Sequence, residues 1–184
     1  IVGEPTDNTI QLGCLGSLHM AVTVAGKAAH SARPWHGENA LYKALPIITQ
    51  LAATAPEEVM IKGLRFKEVM SITQLHCGTG RTTVPAECRA NINYRYAPNK
   101  SLEEAETYLR QCLTNCAVAD MTLEVVDNVP SGSIIDNEVT AAIIAGLKQP
   151  IQAKQAWTDV AQLAQCGIAC FNFGPGYQAQ AHQV

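Results

Sequence analysis

Apolar residues follow two rhythms along this chain, and the switches between them mark its elements. From Leu18 to Gly26, β-branched or apolar residues alternate with smaller ones, which predicts a strand. Leu41 to Ala53 changes to helical spacing, with Leu41, Leu45, Ile48 and Leu51 or Ala52 on one face. Alternation returns from Ser71 to Cys77 and again from Glu87 to Tyr96, through Cys88, Ala90, Ile92 and Tyr94. Ser101-Leu102-Glu103-Glu104 opens a second helix as a capping box, with Ala105, Tyr108, Leu109 and Cys112 on its apolar face. Met121 to Val126 is a last short strand. The order strand, helix, strand, strand, helix, strand predicts an α+β domain of the ferredoxin-like βαββαβ type over about residues 17–127.

Past Pro130 the pattern changes. Asn137 to Leu147 is an amphipathic helix, and Thr158 to Gln165 a second, capped by Thr158 or Asp159. Ile168 to Phe173 is a continuous apolar run, expected to be a strand buried in a mostly parallel sheet, and Gly174-Pro175-Gly176 ends it in a tight loop. Residues 1–16 and 128–184 are therefore expected to belong to a different domain from residues 17–127.

Composition narrows the class. The 184 residues are 47% hydrophobic and 16% charged, ordinary for a globular protein, and the net charge of -3 gives no footprint for nucleic acid. The apolar stretch Ala141 to Leu147 is too short to span a membrane, and no basic, apolar, small-residue leader opens the chain. Ile1 is not an initiator methionine, and the chain reads as a fragment of a longer protein. The seven cysteines, at 14, 77, 88, 112, 116, 166 and 170, do not form the close pairs of a structural zinc site. All seven are expected to be free, mostly buried thiols in a reducing cytoplasm.

The candidate chemistry lies between the first strand and the first helix. Residues 26–40 carry His30, Arg33 and His36 among small residues, with Asn39 placed to cap the helix. On spacing alone this is equally a polar surface turn. The order Gly-x-x-Ala-His-Ser-Ala-Arg-Pro followed by Gly-x-Asn-Ala resembles the lid-domain motif of the di-zinc aminoacylase and glutamate carboxypeptidase superfamily. Gly3-Glu4-Pro5-Thr6, before the lid, resembles the segment whose glutamate binds one metal. By itself, Glu4 would be a turn carboxylate. Asn93-Tyr94-Arg95-Tyr96-Ala97-Pro98-Asn99, Trp157-Thr158-Asp159-Val160-Ala161 and Asn172-Phe173-Gly174-Pro175-Gly176 with Ala181-His182 resemble the succinyl-diaminopimelate desuccinylases, in their actinobacterial form.

The resemblance implies a cytoplasmic amide hydrolase acting on a small molecule, with two zinc ions (cobalt as the alternative metal), that dimerises through its lid. It implies metal ligands at Glu4 and His182, an oxyanion donor at His30 that acts in the partner subunit, and a substrate-carboxylate partner at Arg95. The Gly174 to Gly176 loop would form a pocket wall. Thr82 and Thr83 stand where the family commonly offers an asparagine to the substrate. The family's remaining metal ligands and its general base would lie before Ile1, so the 184-residue chain alone is expected to be inactive. Residues 1–16 and 128–184 would be parts of the α/β catalytic domain into which the lid is inserted. Alternatives are an N-acyl-amino-acid deacylase or dipeptidase of the same superfamily, and a non-catalytic dimerisation module. Without the resemblance, Arg95 reads as a sheet-surface cation and His182 as a surface histidine.

Overall fold

The computed structural model describes residues 1–78 and 80–180. A short strand β1 (Ile10–Leu12) leads into β2 (Gly16–Ala25), the two-residue β3 (Ala29–His30) and helix α1 (Ala40–Ala53). A hairpin of β4 (Glu57–Ile61) and β5 (Leu64–Cys77) follows, then β6 (Thr83–Val84) and β7 (Glu87–Tyr96). Helix α2 (Leu102–Thr114) connects to β8 (Met121–Val129). The chain continues through α3 (Glu138–Leu147), β9 (Ile151–Ala153) and α4 (Val160–Gln165).

The large sheet has the order β4-β5-β7-β2-β8, with every neighbouring pair antiparallel. With β4 set aside, the strands stand in the order second, third, first, fourth. That is the ferredoxin-like arrangement, so the expected α+β fold is the observed one. Both crossover helices cover one face. Ala40, Ala44, Ile47 and Leu51 of α1 and Ala105, Leu109 and Leu113 of α2 share a core with Leu18, Met20, Val22, Val24, Cys88, Ile92, Tyr94 and Tyr96. Period-two alternation sends the other residues of β2 and β7, including Ser17, His19, Asn93 and Arg95, to the opposite face.

Caps fix where the helices begin. Asn39 accepts from the N–H groups of Leu41 (3.0 Å) and Tyr42 (3.4 Å). Ser101 Oγ accepts from Glu104 N–H, and Glu104 returns the bond to Ser101 N–H at 2.8 Å. A buried carboxylate ties the sheet to the α2 connection. Glu68 accepts from the Tyr94 hydroxyl, Ala97 N–H (2.8 Å) and Lys100 Nζ (2.8 and 2.9 Å).

A second, smaller sheet pairs β1 with β9 in parallel. The structure corrects the expectation for Ile168 to Phe173, which forms no strand. Only Asn172 bridges to neighbours, Val2 on one side and Gln11 on the other, while Ile168 is 51% exposed. A strand buried on both faces needs a continuous ladder, and here backbone pairing is confined to Phe171, Asn172 and Phe173, which meet Val2 and Gln11.

The cysteine expectation is also corrected. Cys77 of β5 and Cys88 of β7 stand directly opposite, with Cα atoms 4.4 Å apart, and are joined as a disulfide. Directly opposed residues of an antiparallel pair are the ones a strand register brings closest. Among the described residues Cys14, Cys112, Cys116, Cys166 and Cys170 are free, and only Cys14 is fully buried. No described helix is long and apolar enough to cross a membrane.

Candidate active site

His30 sits on a loop that folds over itself because two glycines let backbones meet. A Cβ on Gly26 would run into the Glu38 carbonyl and the Ala40 backbone nitrogen, and one on Gly37 into the Lys27 carbonyl. Lys27 and Glu38 are bridged through their backbones, closing the loop base. Above the base, β3 pairs with β6 so that His30 lies opposite Thr83, and Ser31 N–H donates to the Thr82 carbonyl at 2.8 Å. His30, Thr82 and Thr83 are thus brought together, all exposed. The ring has a defined direction. His30 Nδ1 accepts from Ala32 N–H at 3.1 Å, so the neutral imidazole carries its proton on Nε2. An exposed histidine thereby presents an N–H donor outward.

A second group forms around Glu4. The Thr6 hydroxyl donates to the Gly174 carbonyl (3.1 Å) and accepts from Gly174 N–H (3.2 Å), and Asp7 N–H donates to the Gly176 carbonyl (2.8 Å). A Cβ on Gly174 would stand 2.7 Å from the Glu4 carbonyl oxygen, so the loop can approach this closely only without a side chain. Gly176 has φ +99°, a conformation that disfavours other residues. Lys154, 3% exposed, holds Glu4 Oε2 at 3.3 Å. Its only sequence signal is a lysine following the short apolar run of β9, and the sequence reading passed over it.

Glu4 Oε1 has no hydrogen bond among the described residues, and a carboxylate oxygen suits zinc. Among the described residues, however, no three His, Cys, Asp or Glu side chains converge as a metal-binding group. They supply one donor and not a complete first shell. His182, the other expected ligand, lies outside the described residues.

Arg95 forms the third group, on the helix-free face of the sheet between Ser17 of β2 and Val69 of β5. Its Nε donates to Asn93 Oδ1 at 2.8 Å, and no ion pair among the described residues uses it. Burial lowers its pKa from the ordinary value, though guanidinium remains charged at neutral pH. The two Nη groups remain as a fork for a planar anion. Asn93 and His19, behind Arg95, were missed in the sequence, where each is one polar residue of an alternating strand. No hydrogen bond or ion pair among the described residues joins the His30 loop, the Glu4 group and Arg95 to one another.

Residues 12–121 match the peptidase dimerisation domain of the M20 family. Over its full length the chain is 36% identical to a protein of Corynebacterium glutamicum named succinyl-diaminopimelate desuccinylase, of which it covers 50%. The fold is similar to that of a Staphylococcus aureus tripeptidase (TM-score 0.68, 19% identity), covering 95% of this chain and 48% of that one. It is similar also to a Bacillus cereus aminopeptidase (TM-score 0.70, 16% identity), covering 96% of this chain and 48% of that one. The chain thus spans about half the length of the curated relative and of both structures. On the matched domain and the full-length identity, the chain belongs to the M20 peptidase family and carries its dimerisation domain.

Proposed function

We propose that the whole protein hydrolyses the amide of N-succinyl-L,L-diaminopimelate to succinate and diaminopimelate, in the cytoplasmic synthesis of lysine and cell-wall precursors. The observation that carries this reading is the His30 ring. Its Nδ1 is tied to Ala32, and its Nε2–H faces outward at the position that the family resemblance assigns to the oxyanion donor. The similarity to the Corynebacterium desuccinylase supports the substrate.

As the amide carbonyl is attacked, its oxygen gains negative charge. A donor aimed at that oxygen binds the transition state more tightly than the substrate, which is what accelerates the reaction. In this reading His30 supplies that donor to the partner subunit's site. Arg95 receives the distal carboxylate of the succinyl group on its Nη pair, and the Thr82 and Thr83 hydroxyls contact the substrate beside His30. Gly174 and Gly176 form the wall next to Glu4.

Glu4 and His182 are read as ligands of two zinc ions, with cobalt as the alternative, completed by residues outside this chain. Bound zinc supplies a hydroxide nucleophile at neutral pH. We assign residues 17–127 to the lid and residues 1–16 and 128–184 to the catalytic domain. Dimerisation through the lid is supported by the edge of β5, which from residue 69 to 77 pairs, among the described residues, only with β7, and by the exposed Tyr42, Leu45 and Leu75 alongside.

The test is a substrate panel on the whole protein. Succinate release should exceed cleavage of N-acetyl-amino acids and dipeptides, vanish on chelation and return with zinc. Preference for one of the other substrates would make it a sibling deacylase or dipeptidase. Absence of any amide hydrolysis would leave a dimerisation module.

A further inference from the structure

The His30 loop is mounted on one segment, residues 82–86, which grips it from end to end. Gly26 N–H, where the loop leaves β2, donates to the Ala86 carbonyl at 2.8 Å. Ala29 and His30 pair with Val84 and Thr83, and Ser31 N–H donates to the Thr82 carbonyl at 2.8 Å. Ala40 N–H, where the loop enters α1, donates to the Pro85 carbonyl at 3.0 Å. The segment is the returning arm of the connection between β5 and β7. The disulfide between Cys77 and Cys88, 11 positions apart in sequence, closes that connection at its base. It is the one covalent cross-link among the described residues. With the bond open, only hydrogen bonds and packing hold the arm, so the arm and the His30 loop gain freedom together.

Two features mark this bond as one that opens. Cys88 is 2% exposed and packs in the core with α1, but Cys77 is half-buried at the last position of β5, the end of the bond open to a small thiol. In a protein read as cytoplasmic, a disulfide is a redox-responsive element and not a permanent staple. We propose that Cys77 and Cys88 form a reversible thiol–disulfide site, a latch that holds the His30 loop when closed and loosens it when a small-molecule thiol reduces it. The inference rests on the cytoplasmic reading for its compartment, and on the reading of His30 as oxyanion donor only for its effect on rate. A thiolate of the reductant attacks Cys77 Sγ, forming a mixed disulfide and expelling Cys88, whose sulfur takes up a proton. A second reductant thiolate attacks the reductant's sulfur in that mixed disulfide and expels Cys77, which is protonated likewise. One S–S bond breaks and one forms. The two cysteines gain two electrons and two protons, and the two reductant thiols leave as their disulfide.

The experiment places the whole protein in glutathione buffers of graded reduced-to-oxidised ratio. Alkylation and peptide mass spectrometry read the state of Cys77 and Cys88, and hydrogen exchange reads the amides of Gly26, Ser31 and Ala40. The pair should pass from disulfide to dithiol as the buffer becomes reducing, and return when the ratio is reversed. On opening, exchange at these amides should quicken about tenfold while α2 amides stay unchanged. With the donor less firmly aimed, kcat should fall several-fold. Cys77→Ser and Cys88→Ala should each show the open-state exchange in every buffer, and His30→Ala should abolish the dependence of kcat on the buffer. A pair that stays closed in reduced glutathione is a fixed staple, and one that stays open in oxidised glutathione forms no latch; either result overturns the proposal. It is overturned equally if opening leaves the loop amides unchanged, or quickens α2 as much as the loop. If exchange responds and kcat does not, the latch stands and the reading of His30 as the oxyanion donor falls.

Discussion

Replacing Glu68 by leucine should be among the most damaging single changes in the dimerisation domain, and the structure gives the size. The carboxylate, 3% exposed, accepts from the Tyr94 hydroxyl, Ala97 N–H and Lys100 Nζ. Leucine keeps the volume and removes every acceptor. Lys100 is partly exposed and can turn to water, so its loss is small. The Tyr94 hydroxyl and Ala97 N–H belong to residues 1% and 0% exposed and would be left without a partner. Each such orphan costs about 1–3 kcal/mol, so the two together cost about 4 kcal/mol, in line with breaking a buried charged pair. Glu68→Gln keeps one good acceptor and should cost about half as much. Urea unfolding followed by far-ultraviolet circular dichroism reads the effect directly. At a slope of about 3 kcal/mol per molar urea, the Leu variant's midpoint should fall by more than about 1 M. A shift below about 0.3 M with unchanged slope would refute the claim that this carboxylate organises the β5–β7–α2 junction.

Two further outcomes follow from the site and from the tyrosines. His30→Ala in the whole protein should lower kcat about 100- to 1000-fold, with KM and zinc content nearly unchanged, measured by steady-state kinetics and metal analysis. Burial pushes Tyr96 and Tyr108 up to about 12, and burial followed by the bond to Glu68 raises Tyr94 as well. A raised folded-state pKa means that the unfolded chain loses these protons first. Stability should therefore be flat below about pH 10 and fall as pH rises toward 12, checked by urea midpoints across that range.

Much of the dimerisation domain was legible because its elements have one packed face. The alternation of β2 and β7 and the caps at Asn39 and Ser101 are direct imprints of burial and of unsatisfied helix N–H groups. The β4–β5 hairpin was not read, although Lys62-Gly63, with φ of 49° and 77°, is a tight-turn signal between two alternating runs. Its residues face solvent on both sides more often than those of β2, so the apolar pattern there is weak. Ile168 to Phe173 misled for the opposite reason. An apolar run reports burial and not pairing, and Phe171 and Asn172 are buried without a ladder. Within the candidate site, motif order alone pointed to His30, Glu4 and Arg95. Lys154 meets Glu4 only through a contact between residues distant in sequence, so nothing local marks it.

The central claim is that His30 serves the partner subunit's site. Two inactive whole-protein variants, His30→Ala and Glu4→Ala, test it when their subunits are exchanged. In a mixed dimer the site with an intact Glu4 belongs to the His30→Ala subunit, and it receives His30 from its partner. Random exchange makes half the dimers mixed, with one complete site of two, so about a quarter of the unmodified activity should return. If mixed dimers form and no activity returns, His30 does not act across the dimer and the account of this loop is wrong.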